Sequence, residues 1–469
     1  MVALLVVLAS DDDGGAGEVR TVTGEAGAPR PVATANVQVG EEAEGSVIQA
    51  ASSPVVVVNP KSARNYVMGY RIERPEFSCA VSVSSDAGAS WSPSALALPP
   101  GTERCYTTSL AFAENGTLYL AFVTLAGPGN VPTGAWLTTS SDGGRTFEAA
   151  RQVLNAEKFM VRVAVDSAAS PARVYLTWVE PAGVGLLRMN RPSPVKVAVS
   201  TDGGATFGAP TTASDPGRER TGAPVPAVGR DGAFHILYLD YEKDVFDYEN
   251  QPGTYDGTFT LLLATSMDGG KTFSQVVVDD GVVPPEPFLV FTPQFPSLGV
   301  DQRTGSLYAT WSDGRSGEAA ALFSASRDGG RTWRAPVRLD DGEGDALLPQ
   351  VSVVPGKRVD VAYANVAGDG GTQIHVMASS DGGQTFGPAQ PLNTPFRRAF
   401  LPQSPRDGGG PDLGSTLGLL STESGAYVAW PDTRKGSRST LRTDIVGASV
   451  ELTTLAKPRR PAPAGSDRR

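Results

Sequence analysis

Seven times along this 469-residue chain a strand-like run ends in an aromatic or other large residue pair of one parity. In chain order the pairs are Tyr70/Ile72, Phe122/Thr124, Trp178/Glu180, Tyr238/Asp240, Trp311/Asp313, Tyr363/Asn365 and Trp430/Asp432. Residues two apart on a strand share a face, so these positions line up as a rim. Two of the runs continue into arginine, as Asp313-Gly314-Arg315 and Asp432-Thr433-Arg434. Two carboxylates can work as general acid and base when burial raises one pKa. Arginines and aromatic rings beside them suit a polar ligand such as a sugar. The candidate catalytic residues are therefore Asp313, Asp432, Asp240 and Glu180. Candidate substrate-binding residues are Arg315, Arg434, Trp311 and Trp430, with Arg104 and Tyr106 near the start of another strand. Taken singly, each of these residues also fits a turn cap or packing between strands.

Other chemistries find little support. His235 and His375 are the only histidines and both fall inside strand-like runs, which disfavours a histidine triad or a zinc site. No Walker loop or dinucleotide fingerprint occurs, and Asp407-Gly408-Gly409-Gly410 reads as a linker. No metal and no cofactor is expected. The insert from Asp240 to Phe259 is rich in acid and tyrosine (Asp240, Tyr241, Glu242, Asp244, Asp247, Tyr248, Glu249, Tyr255, Asp256). Its carboxylates follow no calcium-loop spacing, so it reads as a solvated loop or a lid. The link from Gly281 to Pro296 and the stretch Phe396-Arg397-Arg398-Ala399-Phe400 should shape the same rim.

The elements that position this rim announce themselves through a repeat. Six copies of one turn carry Asp86, Asp142, Asp202, Asp268, Asp328 and Asp381. The third copy reads Ser200-Thr201-Asp202-Gly203-Gly204-Ala205-Thr206-Phe207, and the aspartates lie 56, 60, 66, 60 and 53 residues apart. Each copy sits between two strand-like runs, as a hairpin connection does. The Asp side chain can accept from backbone N–H groups further along the turn. A following glycine supplies positive φ, and the aromatic ring buries itself under the hairpin. A fixed period of this size means an array of one supersecondary unit. The boxes are expected to be structural, on the face opposite the carboxylate rim.

The motif S-x-D-x-G-x-[TS]-[WF] resembles the Asp box of the BNR-repeat, sialidase-like β-propellers, with Ser90 standing for Thr in the first copy. The resemblance spans nearly the whole chain. It implies an all-β propeller of four-stranded antiparallel blades and a glycan-active site on the face away from the boxes. In the sialidases that site is a glycoside hydrolase centre with a Tyr nucleophile, an assisting Glu, an Asp acid/base and three arginines on the substrate carboxylate. This chain departs from that pattern. Sialidases carry Arg-Ile-Pro at the first inner strand, where Ser53-Pro54-Val55-Val56-Val57-Val58 stands here. Tyr70-Arg71-Ile72-Glu73-Arg74-Pro75 is superficially close but falls on a second strand. Arg104, Arg162 and Arg220 lie at or near inner-strand starts, with no motif tying them into a triad.

Each period accommodates four strands. Blade five reads as inner strand Ser297–Val300, second strand Ser306–Trp311 and third strand Ala321–Ala325, followed by the box and an outer strand. After the last box come an inner strand at 415–419, a second at 426–430 and a third at 444–450, with no box and no outer strand. Ala35-Asn36-Val37-Gln38-Val39 can supply the missing outer strand and close the ring, which removes unpaired edges. Seven blades is the reading; six, as in the sialidases, is the runner-up.

Composition agrees with many tight turns, at 54 Gly and 37 Pro. Forty basic against fifty acidic residues give a net charge of −10, which argues against nucleic acid as partner. No apolar run is long enough to span a bilayer. Val2 to Ser10 resembles the core of a signal peptide without its basic start. Residues 1–30 then read as that segment plus a flexible linker, 31–456 as one propeller, and 457–469 as a Pro/Arg tail. Cys79 and Cys105 fall near one face, so they are either a disulfide or two buried thiols. Export favours the bond. The expected protein is a monomer, secreted or held at the cell surface or in the periplasm. Its partner is a glycan or glycoconjugate, or a protein. It is either a hydrolase using rim carboxylates or a non-catalytic binder.

Overall fold

The computed structural model describes residues 20–21, 30–39, 48–127, 131–180, 192–218, 220–241, 257–285, 294–402 and 412–453. The apolar run at 2–10, most of the linker up to residue 29, the insert from Glu242 to Asp256, residues 408–410 and the tail from Lys457 lie outside them.

Short, β-branched and aromatic runs separated by Gly-rich turns form seven antiparallel four-stranded units, the first six laid down inner to outer in chain order. Blade 5 shows the unit: Ser297–Val300, Leu307–Asp313, Ala320–Ser326 and Val337–Arg338. The chain is therefore a seven-bladed propeller, and the six-bladed alternative falls away.

Closure is made by the N-terminal segment. Val37–Val39 pairs antiparallel with Ile445–Gly447 of blade 7. A further stretch, Arg30–Ala33, continues the same outer strand against Val450–Thr453. At the inner edge, Ser415 N–H donates to Ser53 Oγ at 2.9 Å and Thr416 Oγ1 to the Pro54 carbonyl at 3.3 Å. Arg20–Thr21, inside the expected linker, adds a parallel fifth strand to blade 5.

The core lies between blades rather than within one. Alternation sends one parity of each second strand to the preceding blade and the other to the following one. Tyr66, Met68, Tyr70 and Ile72 of blade 1 pack with Tyr427 and Ala429 of blade 7. Val67, of the other parity, packs with Leu118, Leu120 and Phe122 of blade 2. Full burial of each such side chain is worth about 1.5–3 kcal/mol, so every blade is held mainly by its two neighbours.

The six boxes have one geometry. In the fifth, Asp328 Oδ1 accepts from Ser326 Oγ at 2.8 Å and from Thr332 N–H at 3.0 Å, while Thr332 Oγ1 donates to Oδ2 at 2.6 Å. Both residues after the aspartate have positive φ, and Ala87 (φ 63) fills the first place in box one. The second place is always glycine, because it abuts the preceding blade. A Cβ on Gly330 would stand 2.4 Å from Leu263. Several box turns are also gripped by polar side chains of the preceding blade. Asn65 donates to the Gly143 carbonyl (3.1 Å), Tyr119 to Gly203 (3.2 Å) and Arg327 to Asp381 (3.1 Å).

Candidate functional site

The face opposite the boxes is built from inner-strand starts, second-strand ends and the links between blades. Here the inner strands are bulged. Ser53, Met160, Ala223 and Leu348 all sit at positive φ (50 to 55), each beside a register shift against its second strand. Bulges re-aim the side chains that follow, and one of those is Arg162, two residues after Met160.

Arg71 and Glu73 end the second strand of blade 1, Ser62–Arg74. Their parity is that of Val67, so they face blade 2. Among the seven second-strand ends this parity is otherwise uncharged: Val123 and Leu125, Val179, Leu239 and Tyr241, Ser312, Ala364 and Val366, Pro431 and Thr433. Arg71 is buried and ion-paired with Glu73; its Nε donates to Glu73 Oε1 at 2.6 Å. The same oxygen accepts from Ser52 Oγ at 2.5 Å. Arg71 also donates to the Tyr106 hydroxyl at 2.6 Å, and its guanidinium carbon lies 4.7 Å from that ring's centroid. Burial alone would lower the Arg71 pKa, but Glu73, Tyr106 and Asp412 outweigh it and raise it. Burial pushes the Tyr106 phenol up to about 12 against the pull of Arg71. The phenol therefore keeps its proton, and because its oxygen accepts from Arg71 that proton is free to be donated.

Arg162 completes the far side. Its guanidinium lies 4.2 Å from the Phe295 ring centroid. Phe295 also donates its N–H to the Ser415 carbonyl at 3.2 Å, so this residue of the link before blade 5 bridges to blade 7 beneath the blade-3 arginine. Arg162 Nε is fully buried without a hydrogen-bond partner. Burial pushes its pKa down to about 10, with only Tyr106 opposing, so it remains charged at neutral pH. Asp412, in the link before blade 7's inner strand, accepts from Gly414 N–H at 2.8 Å. Burial raises its pKa, opposed by Arg71 and then by Arg398. Arg71, Glu73, Tyr106, Arg162 and Asp412 thus form one interacting group drawn from blades 1, 2, 3 and 7.

Most of the residues singled out in the sequence stand elsewhere and are already engaged. Asp313 is fully buried and accepts from Arg315 N–H at 2.8 Å and Nε at 2.9 Å, and Arg315 reaches on to Asp279 of blade 4. Asp432 is held by Arg434 Nε at 2.8 Å and Trp430 Nε1 at 3.0 Å. Asp240 is buried against Arg218, and Glu180 pairs with Lys158. Trp311 and Trp430 are 2% and 0% exposed, packed between blades. Arg104 donates to Glu76 at 2.9 Å and to the Gly127 carbonyl at 2.8 Å. Of the set, Tyr106 alone joins the central group. Arg398, within the stretch expected to shape the rim, faces Asp345 and Asp412.

Cys79 and Cys105 are disulfide-bonded. His235, whose pKa burial lowers to about 4, contacts Thr265 Oγ1 at 3.0 Å. Among the described residues, no group of three or more His, Cys, Asp or Glu could hold a metal ion. No helix among them is long and apolar enough to cross a membrane.

The pairings and the site define a seven-bladed β-propeller with a charged mouth at the centre of one face. No protein-family model and no curated protein matches the chain. Solved structures similar to it include a protein of unknown function from Dyadobacter fermentans (14% identity, TM-score 0.49, covering 90% of this chain and 99% of that one). An α-L-arabinanase of Penicillium chrysogenum complexed with arabinobiose gives 15% identity and a TM-score of 0.48, covering 74% of this chain and 98% of that one. The NanB sialidase of Streptococcus pneumoniae gives 12% and 0.42, covering 89% and 70%. All three stay below a TM-score of 0.5, so the fold rests on the strand pairings and the functional reading on the residues of the mouth.

Proposed function

We propose that this chain is an exported glycan-recognising propeller of the sialidase-like, Asp-box kind, with its ligand at the central mouth. The observation that carries the reading is Arg162: a charged guanidinium at the mouth, stacked on Phe295, with a buried Nε that has no hydrogen-bond partner among the described residues. The side chain is only half-buried, so the accessible part of a guanidinium that lacks an ion-pair partner among the described residues can meet a ligand carboxylate or hydroxyl. Tyr106 offers its phenol proton beside it, held in place by Arg71 and Glu73. The Cys79–Cys105 bond supports an oxidising compartment.

Hydrolysis needs a proton donor at the leaving oxygen. Asp412 is suited to that role, because burial favours its neutral, protonated form. A second, purely binding reading is favoured by the state of the other carboxylates. Glu73, Asp240, Asp313 and Asp432 are each engaged by an arginine and Glu180 by a lysine, so none of these five is a free base for Asp412 to work with.

A glycan array combined with aryl-glycoside hydrolysis separates these readings. Selective glycan retention by the wild type, lost in Arg162→Ala with melting unchanged, supports the mouth as the site. Hydrolysis that falls as pH rises past the raised pKa of Asp412, and is abolished in Asp412→Asn, identifies the enzyme. Retention without hydrolysis identifies the binder. A chain that neither retains nor cleaves any glycan on the panel overturns the glycan reading.

A further inference from the structure

The chain has two cysteines, and they are bonded to each other. The seam where a ring most needs a crosslink lies between blades 7 and 1, and hydrogen bonds hold it instead. The disulfide joins blades 1 and 2, beside the charged group. Cys79 stands directly opposite Arg71 in the antiparallel ladder of blade 1. Cys105 immediately precedes Tyr106 in blade 2's inner strand and donates its N–H to the Phe77 carbonyl at 3.2 Å. The Phe77 ring meets the Tyr106 ring edge-on at 5.9 Å. Both ends of the Arg71–Tyr106 hydrogen bond are therefore one position away from a bonded sulfur, across the ladder on one side and along the chain on the other.

We propose that the Cys79–Cys105 disulfide is a positioning element of the mouth, which holds Arg71 against Tyr106, so that its reduction loosens the charged group locally while the propeller stays folded. The physical reason lies in the kind of contact being held. Adjacent blades meet mainly through apolar side chains, whose attraction is non-directional and tolerates small sliding movements. The Arg71–Tyr106 contact is a directional hydrogen bond at 2.6 Å, and such bonds weaken steeply as geometry is lost. A covalent tether across this one pair of blades supplies the precision that apolar packing lacks. Cys105 is fully buried but Cys79 is half-buried, which gives a reductant one approach to the bond. Orientation of the Tyr106 donor would then depend on the redox state of the surroundings.

The functional weight of this clamp rests on the mouth being the ligand site, but its test needs no ligand. The whole protein, oxidised or treated with a phosphine reductant, is labelled with phenylglyoxal, and modified arginines are located by peptide mass spectrometry. Arg358, buried against Asp360 between blades 6 and 7, is the control for global opening. The expected result is a several-fold rise in Arg71 labelling on reduction, with Arg358 unchanged and near-native circular dichroism. Reoxidation with diamide should restore protection, and the double variant Cys79→Ser/Cys105→Ser should show the same labelling without reductant. Equal Arg71 labelling in both states overturns the clamp. So does a joint rise of Arg71 and Arg358, which would make the bond a support of the whole fold. A failed glycan screen with a positive labelling result would sink the glycan reading and leave the clamp standing.

Discussion

The two faces of this ring are built on opposite principles. On one, a single turn recurs six times with the same hydrogen bonds, and each aspartate is satisfied by its own next few residues. On the other, no two blades are alike, and the charged group is assembled from residues as far apart in sequence as Arg71 and Asp412. On the first face the carboxylates are used up within their own turns. The second leaves the Arg162 Nε without a hydrogen-bond partner among the described residues. Repetition thus marks where the ring is built, and its breakdown marks where the molecule is free to be specific.

The largest effect should come where the repeated face is itself incomplete. Blade 7 has no box and borrows its outer strand from residues 30–39. Deleting the chain through Gly40 should therefore strip both paired stretches and cost several kcal/mol, at about 1 kcal/mol for each hydrogen bond lost. Deletion through Pro29 should cost far less, and equal melting of the two truncations would contradict the closure. Next in size is Arg71→Ala. It leaves Glu73 buried without its cation, a loss of about 3–5 kcal/mol in comparable buried pairs. Chemical denaturation measures it, and a change under about 1 kcal/mol would mean that the pair behaves as if exposed.

The box face was legible because its determinants are local. Ser, Asp, Gly and Thr sit within a few residues of one another, so a period and a blade count follow from reading along the chain. Closure by Val37–Val39 was legible for the same reason, as an alternating run next to a missing strand. Arg30–Ala33 and Arg20–Thr21 carry no alternation long enough to read, and pair only because a sheet edge is present. The mouth was legible in pieces. Arg71, Glu73 and Arg162 were visible as charged residues near the right strand ends, but nothing along the chain shows that blades 1 and 3 converge on Tyr106. The alignment of second-strand ends selected the parity facing the preceding blade, which carries Asp313 and Asp432. The opposite parity is charged in blade 1 alone, and a reading of both parities would have found it. Asp412 lies in a Gly- and Pro-rich link without pattern, and only the folded chain brings it to Arg71.

Arg162→Met gives the sharpest contrast between the faces. Removing a half-buried charge that has no ion-pair partner among the described residues should leave stability unchanged or slightly raised. Loss of its charge-assisted bond to a glycan should weaken retention roughly 10- to 100-fold, the equivalent of about 1.5–3 kcal/mol. A clear drop in melting temperature would show that Arg162 is structural, and the distinction between the faces would weaken.

Asp328→Ala should have the smallest effect and the opposite signature. The turn loses three hydrogen bonds to one carboxylate, but Thr332 is exposed and water takes over part of what is lost. A destabilisation of about 1 kcal/mol is expected, with glycan retention by the folded variant unchanged. The pH dependence follows from the same bonds. Slight burial pushes the Asp328 carboxyl up, but donation from Thr332 and Ser326 outweighs it and holds the pKa down at about 2, below the roughly 3.9 of an unfolded chain. A carboxyl whose folded pKa is depressed stabilises fully above its unfolded pKa, and that stabilisation fades as pH falls towards the folded value. The difference in stability between wild type and Asp328→Ala should therefore be constant at neutral pH and shrink below about pH 4. Urea titrations of both proteins at neutral and acidic pH test this. A gap that persists undiminished in acid, or a variant that melts normally yet loses its glycan, would show that the boxes do more than build the ring.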